Sequence, residues 1–93
     1  MSNELHFHPE ALDEWGRLDH SIREQIKKKL AERLIEPHLP ASQLAGRPGR
    51  YKIKLRSTGI RLVHEVREAE LVVLVIAVGK RERNAVYKVA SRR

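Results

Sequence analysis

The sequence predicts an α+β fold in which two N-terminal helices pack on a small, mainly antiparallel four-stranded sheet, followed by a short C-terminal helix. Three observations support this prediction: apolar residues recur at helical spacing, then alternate with basic residues, then form one continuous run. Tight turns separate the last three strands, so the order β-α-α-β-β-β-α is typical of an α+β sandwich. A length of 93 residues leaves room for one domain, residues 1–93.

One short strand and one helix are predicted first. The strand spans Glu4–Phe7. Pro9 suits the first helical position, where a missing backbone N–H costs nothing, and Gly16 marks the end of the helix. The apolar residues at helical spacing are Ala11, Leu12, Trp15 and Leu18.

The next segment predicts a longer amphipathic helix that ends before Pro37. Ser21 to Glu24 fits a capping box, in which a hydroxyl and a carboxylate satisfy free backbone donors, and Asp19 is a rival cap. Apolar residues recur every fourth position at Ile22, Ile26, Leu30 and Leu34. The residues expected to face away are Lys27, Lys28, Lys29 and Glu32.

Alternation with a period of two predicts a half-buried strand over residues 51–56. Its apolar positions are Tyr51, Ile53 and Leu55, and its basic positions are Lys52, Lys54 and Arg56. Ser57-Thr58-Gly59 is a turn signal before the strand Ile60–Val66. A four-residue loop places Lys54 opposite Arg61, whereas a loop shorter by one residue would mix the two faces. The apolar pairs expected from this loop are Leu55–Ile60 and Ile53–Leu62.

The last strand is predicted to be central in the sheet. Arg67–Glu70 is the turn before it, and Leu71–Val78 is continuously apolar, as expected of a strand buried on both faces. Gly79 marks the end of the strand, and Asn84 is placed to cap a short last helix. The apolar residues of that helix are Ala85, Val86, Val89 and Ala90.

The charge is positive overall and unevenly distributed. The net charge is +7, and the sequence pI is near 10.3. Residues 1–44 carry 6 basic and 8 acidic side chains, residues 45–67 carry 7 and 1, and residues 68–93 carry 6 and 3. Excess positive charge confined to the second half favours a polyanionic partner, either nucleic acid or an acidic protein.

Composition excludes several function classes. No apolar run approaches the roughly 20 residues of a membrane-spanning helix, and no signal segment opens the sequence. Zero cysteines leave no disulfide framework and no thiolate metal site. We expect a cytoplasmic protein without membrane contacts.

A cationic cluster is the main candidate for chemistry. The predicted register puts Lys52, Lys54 and Arg61 on one face of adjacent strands, where like charges repel unless an anion or water separates them. Where the chain leaves the sheet and enters the last helix, the further candidates are Lys80, Arg81, Arg83 and Tyr87. The alternative interpretation is a solvated outer face, with Tyr87 packed in its helix.

Such a cluster suits phosphate, because arginine presents a planar fork to the oxygens and lysine a compact charge. Cleaving a phosphodiester without a metal requires a base for the 2′-hydroxyl, charge stabilisation for the phosphorane and help for the leaving oxygen. Tyr87 is a candidate base if neighbouring cations stabilise its phenolate. The lysines and arginines meet the second requirement directly.

The histidines do not favour a catalytic pair. His6 and His8 alternate along a strand and offer two metal ligands at most, and His20 and His38 are expected in loops. His64 shares a face with apolar residues of its strand, which favours a position in the core or at its edge.

Five residue strings along the chain are shared with a known family. They are Arg23-Glu24-Gln25, Lys27-Lys28-Lys29-Leu30, Tyr51-Lys52-Ile53-Lys54-Leu55-Arg56-Ser57, Arg61-Leu62-Val63 and Val78-Gly79-Lys80-Arg81-Glu82-Arg83, and Tyr87 matches as well. Together they resemble the RelE family of bacterial toxins. The likeness extends from about Phe7 to Val89 and implies a RelE/ParE toxin-like fold.

This resemblance implies a ribosome-dependent mRNA endonuclease that needs no cofactor or metal ion. Such toxins cut the message in the vacant A site of the 70S ribosome, where the 2′-hydroxyl attacks the adjacent phosphate and leaves a 2′,3′-cyclic phosphate and a 5′-hydroxyl. The residues that match the family's catalytic positions are Tyr87 as general base, Arg81 at the leaving oxygen, and Lys52, Lys54 and Arg61 as charge stabilisers. We expect Arg81 to stabilise charge, because its side chain does not deprotonate in proteins.

The resemblance also implies RNA contacts and partners. The RNA-binding candidates are Arg47, Arg50, Arg56, Lys80 and Arg83. One departure is Ala45, where close relatives carry a basic residue in a Leu-x-Gly loop, and Arg47 and Arg50 are expected to substitute for it. The implied partners are mRNA, 16S rRNA at the A site and a RelB-type antitoxin, with operator DNA bound only through the antitoxin.

Two alternatives stay open. The ParE family is similar in fold but inhibits DNA gyrase, and that role does not require the five matching catalytic residues together. A basic domain that binds RNA or DNA without cutting it predicts binding that weakens smoothly with salt and gives no defined product ends.

Overall fold

The computed structural model describes residues 3–38, 40–44, 48–80 and 82–93. Within these ranges the chain forms β1 (Glu4–Phe7), α1 (Pro9–Gly16), α2 (His20–Ile35), β2 (Arg50–Leu55), β3 (Ile60–Arg67), β4 (Val72–Lys80) and α3 (Ala85–Ser91). Short 3₁₀ turns cover Pro40–Ser42, Glu68–Glu70 and Glu82–Asn84. The element order is the predicted β-α-α-β-β-β-α.

The described strands form one mixed sheet in the order β1-β4-β3-β2. β2 pairs with β3, and β3 with β4, in antiparallel fashion, whereas β1 joins β4 in parallel. The predicted α+β fold is therefore confirmed, with one parallel pair at the edge of the sheet. β4 lies between two strands, as its continuous apolar run predicts.

Some predicted helix and strand boundaries differ from the structure. α2 begins at His20, so Asp19 occupies the N-cap position and the capping box predicted at Ser21 is wrong. Leu71 adopts a left-handed conformation, with φ of 55°, and β4 starts after it. Gly79 does not end β4, because the long β3 strand continues the antiparallel ladder as far as Lys80.

The predicted register between β2 and β3 is confirmed. The paired residues are Leu55–Ile60, Lys54–Arg61 and Ile53–Leu62. In the four-residue loop, the backbone N–H groups of Thr58 and Gly59 donate to the carbonyl oxygen of Leu55 at 3.2 and 3.0 Å. Gly59 has a φ of 74°, a conformation that favours glycine, so the loop length and the register are set together.

Helices cover both faces of the sheet. On one face, α1 and α2 bury a core around Ala11, Ile26, Leu30, Ile53, Leu62 and Val75. On the other face, α3 packs through Val86 and Ala90 against Val63, Ile76 and Ala77. The two faces therefore differ in composition. One holds the larger apolar core, and the other combines a small core with the basic side chains of β2 and β3.

Candidate functional site

Basic side chains gather on the α3 face of the sheet, as the register predicts. Lys54 pairs directly with Arg61 across the β2–β3 ladder, and Lys52 pairs with Val63. Because side chains alternate along a strand, Lys52 and Lys54 point away from the core residue Ile53 between them. Lys52 is half-buried and Lys54 is exposed. This face therefore concentrates positive charge along the edge strand β2.

Arg61 is the buried cation of this group. Its relative exposure is 5%, and Nη1 donates to the carbonyl oxygen of Ile60 at 3.0 Å. Among the residues that the structure describes, no carboxylate forms an ion pair with Arg61. Arginine is rarely buried without a paired charge, since removing an ion from water is costly. The Arg61 guanidinium is therefore suited to an anion that comes from outside the chain.

Tyr87 lies on α3, which covers the same face. Its half-buried side chain packs against a cluster that contains Val63, the β3 partner of Lys52. A Cβ added to Gly79, the β4 partner of Arg61, would lie 3.9 Å from a side chain of α3. The structure thus brings the helix that carries the phenol over the strands that carry the three basic residues.

A basic groove runs between α2 and the edge strand β2, with a volume of about 350 Å³. It is lined by Lys29, Arg33, Ser42, Lys52, Ile53, Lys54 and Arg56. Lys29 and Arg33 were not among the predicted site residues, and the prediction that Lys29 faces away from the sheet is wrong. Lys29 and Arg33 are four residues apart and therefore lie on the same side of α2. This spacing is the sequence feature that could have predicted a shared basic surface.

Other predicted RNA-binding residues have diverse positions. Arg56 is exposed and lines the basic groove. Lys80 is exposed, but its register partner is Ile60, so it lies on the α1 and α2 face and not beside Arg61. The predictions at Ala45, Arg47 and Arg81, and for the side chain of Arg83, fall outside the part of the chain that the structure describes.

Arg50, a predicted RNA-binding residue, occupies an internal position and has polar partners within the chain. Its relative exposure is 5%. Nε lies 3.0 Å from Glu65 Oε1, and Nη1 donates to the carbonyl oxygen of Ala90 at 2.6 Å. The guanidinium therefore connects β2 to β3 and to α3.

His64 lies in the core, as its predicted face indicates. Its exposure is 0%, and its ring stacks on Tyr51 with centroids 5.7 Å apart. Burial and, to a smaller extent, the charge of Arg33 lower the pKa of His64 to about 4. Within the described part of the chain, neither ring nitrogen has a hydrogen-bond partner. His64 is therefore a neutral core residue on the face opposite Lys54 and Arg61.

The described residues contain neither a metal-binding cluster nor a membrane-spanning helix. No group of three or more His, Cys, Asp or Glu side chains is placed there to hold a metal ion. None of the helices found there is both long and apolar enough to cross a membrane.

Comparisons with known proteins then decide the family. A family model described as the ParE toxin of the type II toxin–antitoxin system parDE matches residues 5–85. The chain is also 52% identical to the mRNA interferase toxin RelE of Escherichia coli K12 over 93 residues, which is 100% of this chain and 98% of that protein. The chain belongs to the RelE family.

Solved structures of RelE toxins share the fold of this RelE-family chain. A mutant of the E. coli toxin RelE in the free state matches with a TM-score of 0.92 and 49% identity, covering 100% of this chain and 98% of that one. The toxin in the intact E. coli RelBE toxin–antitoxin complex matches with a TM-score of 0.85 and 51% identity, covering 88% and 100%. The family resemblance predicted from the residue strings is thereby confirmed.

Proposed function

We propose that this RelE-family toxin is an mRNA interferase that cuts mRNA in the A site of the 70S ribosome and so inhibits translation. The observation that carries the proposal is the direct pairing of Lys54 with Arg61, a buried cation, on the face that α3 covers with Tyr87. A phosphodiester fits this concentration of charge. The 52% identical relative is named an mRNA interferase toxin, which supports the same activity here.

In the proposed mechanism, Tyr87 acts as the general base that takes the proton of the ribose 2′-hydroxyl. The 2′-oxygen then attacks the adjacent phosphorus, and the bond from phosphorus to the 5′-oxygen breaks. The products are a 2′,3′-cyclic phosphate and a 5′-hydroxyl, whose oxygen takes up a proton from solvent water. Lys52, Lys54 and Arg61 stabilise the extra negative charge of the phosphorane, and this electrostatic contribution is commonly the largest in enzymes.

Arg81 completes the proposed catalytic group. It follows β4 directly, one residue after Lys80. We assign it to charge stabilisation at the leaving oxygen, because a guanidinium does not give up its proton in proteins. We propose that the base, the charge stabilisers and Arg81 act without a metal ion or cofactor.

The basic groove extends the proposed RNA surface beyond the reacting phosphate. Lys29 and Arg33 face Lys52, Lys54 and Arg56 across it, and several fixed cations along one groove suit a polyanionic backbone. Arg47, Lys80 and Arg83 remain proposed RNA contacts. The proposed targets are the message and 16S rRNA at the A site.

A RelB-type antitoxin is the proposed protein partner. A RelE mutant 50% identical to this chain was solved in complex with a peptide of the antitoxin RelB, with a TM-score of 0.85. A net charge of +7 attracts an acidic partner as well as RNA. We propose that operator DNA is contacted only through the antitoxin, and that the toxin acts in the cytoplasm.

The proposal is tested by cleavage of mRNA on programmed ribosomes with an empty A site, with the RNA ends mapped and free mRNA as a control. The native chain is compared with Tyr87→Phe and Arg81→Ala. Lys27→Met is the matched control, because Lys27 is exposed on α2 and pairs with Glu24. We expect cleavage on the ribosome alone, a 2′,3′-cyclic phosphate end, and a large loss in both site variants.

Other results would contradict the proposal in distinguishable ways. Ribosome binding without cleavage would favour a toxin that only occupies the A site. Absence of both, together with inhibition of DNA gyrase, would favour the activity associated with the ParE family.

A further inference from the structure

The helix that carries Tyr87 depends on tertiary contacts for its position. α3 spans only seven residues, Ala85–Ser91, and an isolated helix of that length is unstable in water. It begins after Asn84, which has a φ of 60°, and its buried residues are Val86 and Ala90. With only two fully buried side chains, so short a helix gains stability from polar anchors at its end.

Arg50 provides such an anchor. Its buried Nη1 donates to the carbonyl oxygen of Ala90 at 2.6 Å, across 40 residues of sequence. This carbonyl of the last turn also accepts from the backbone N–H of Arg93 at 3.0 Å, and the guanidinium lies at the negative end of the helix dipole. Its Nε is held at 3.0 Å by Glu65, whose other oxygen accepts from Arg67 at 2.8 Å. The anchor is therefore itself fixed to β3.

Arg50 also shares a strand and a face with two proposed charge stabilisers. It precedes Lys52 by two residues and Lys54 by four, so the three side chains leave β2 on the same side. One strand thus carries the cations that contact the phosphate and the group that holds the helix of the proposed base. Tyr87 lies three residues before Ala90, less than one helical turn from the anchored carbonyl.

We propose that Arg50 is a positioning residue, which holds α3 at Ala90 and thereby sets the place of the Tyr87 phenol relative to Lys52 and Lys54. This inference rests on the proposed function. It replaces the RNA contact predicted for Arg50, because in the described part of the chain the buried guanidinium is held by Glu65 and by the carbonyl oxygen of Ala90.

Ribosome-dependent cleavage by Arg50→Met distinguishes positioning of α3 by Arg50 from RNA binding by Arg50. Misplacing a catalytic group by about 1 Å costs up to about 100-fold in rate, so we expect kcat to fall about 10- to 100-fold with the ribosome concentration for half-maximal rate unchanged. Arg50→Lys, which retains a cation, should recover part of kcat. Arg17→Met is the control for loss of an arginine, because Arg17 is exposed and lies outside this network, and it should cleave normally. A raised half-saturation concentration with unchanged kcat would overturn the proposal in favour of RNA binding.

A double-mutant cycle with Tyr87→Phe tests whether Arg50 acts through the phenol. We expect Arg50→Met to cost nothing further once the hydroxyl is absent, and independent, multiplicative losses would overturn the proposal. If Arg50→Met does not fold, Glu65→Gln can be used instead, because it weakens the same anchor with little change in side-chain size. It should reduce kcat and leave the ribosome concentration for half-maximal rate unchanged.

Hydrogen exchange separates this inference from the proposed function. Amides of α3 should exchange at least about tenfold faster in Arg50→Met than in the native chain, while those of α2 stay unchanged. Unchanged exchange in α3 would overturn the positioning role. Faster exchange in a chain that never cleaves mRNA would contradict the proposed function and leave the anchor established.

Discussion

Arg93 and Glu14 form a two-pronged ion pair that joins the segment after α3 to α1. Nη1 of Arg93 lies 2.9 Å from Oε1 of Glu14, and Nη2 lies 3.0 Å from Oε2. Glu14 also accepts from the backbone N–H of Val78 at 3.0 Å, and Arg93 donates to the carbonyl oxygen of Ile76 at 2.9 Å. Burial raises the pKa of Glu14, but these hydrogen bonds outweigh it and leave the pKa below its ordinary value. The pair thus ties both helices to β4.

Arg93→Met should lower the free energy of unfolding by about 1–3 kcal/mol, because Glu14 loses its charged partner while it stays partly buried. Urea denaturation at pH 7 measures the change. Arg92→Met is the matched control, because Arg92 is exposed and adjacent, and it should be neutral within about 0.5 kcal/mol. Equal stability of Arg93→Met and the native chain would show that the ion pair contributes nothing net.

His64 should make stability depend on pH between about 4 and 6.5. In the unfolded chain the His64 imidazole takes up a proton at its ordinary pKa of 6.5. In the folded chain the imidazole stays neutral until the pH reaches its lowered pKa of about 4. The unfolded state therefore binds more protons, and the free energy of unfolding falls as the pH falls, by on the order of 3 kcal/mol.

His64→Phe should remove this pH dependence and leave the stacking on Tyr51. At pH 7 it should be neutral or stabilising, because two buried nitrogens without partners in the described chain are lost. Urea melts at a series of pH values measure it, with the exposed His20→Gln as a control that keeps the native slope. If the free energy of unfolding varied with pH in the same way for the native chain and for His64→Phe, the pH dependence would not come from His64.

Arg61→Met should separate stability from activity. Replacing a buried cation that lacks a carboxylate partner in the described residues with an apolar side chain of similar length should change the free energy of unfolding by only about 0–2 kcal/mol, in the stabilising direction. Cleavage on ribosomes should fall at least about 100-fold, since a charge stabiliser is lost. A large loss of stability would instead show that Arg61 is satisfied internally.

Lys29→Gln with Arg33→Gln should weaken ribosome binding and leave kcat unchanged. If the two cations contact phosphates, the slope of log affinity against log salt should become shallower by about 1.5. Binding is measured over a series of KCl concentrations. Lys27→Gln removes a charge from the exposed side of α2 and should keep the native slope, and an unchanged slope in the double variant would remove the basic groove from the RNA surface.

The pairing at the centre of the candidate site follows from local sequence rules. Alternation along residues 51–56 and a loop that ends at a glycine with positive φ allow one register that keeps apolar side chains on a single face. Lys54 opposite Arg61, and the core position of His64, were predictable from this alone. The continuous apolar run likewise indicated the central place of β4.

The burial of polar side chains, and their partners far away in the sequence, could be identified only from the tertiary structure. In the sequence, Arg50 is one more basic residue in a basic segment. No neighbouring residue indicates that its partners are Glu65 and Ala90, which are 15 and 40 residues away. The same holds for Lys29, which pattern alone placed on a solvent face but which α2 directs toward the edge of the sheet. Periodicity specifies which face of an element is apolar, because that depends on neighbours three or four residues apart. Which polar side chains meet depends on how the elements pack, and only the folded chain decides that.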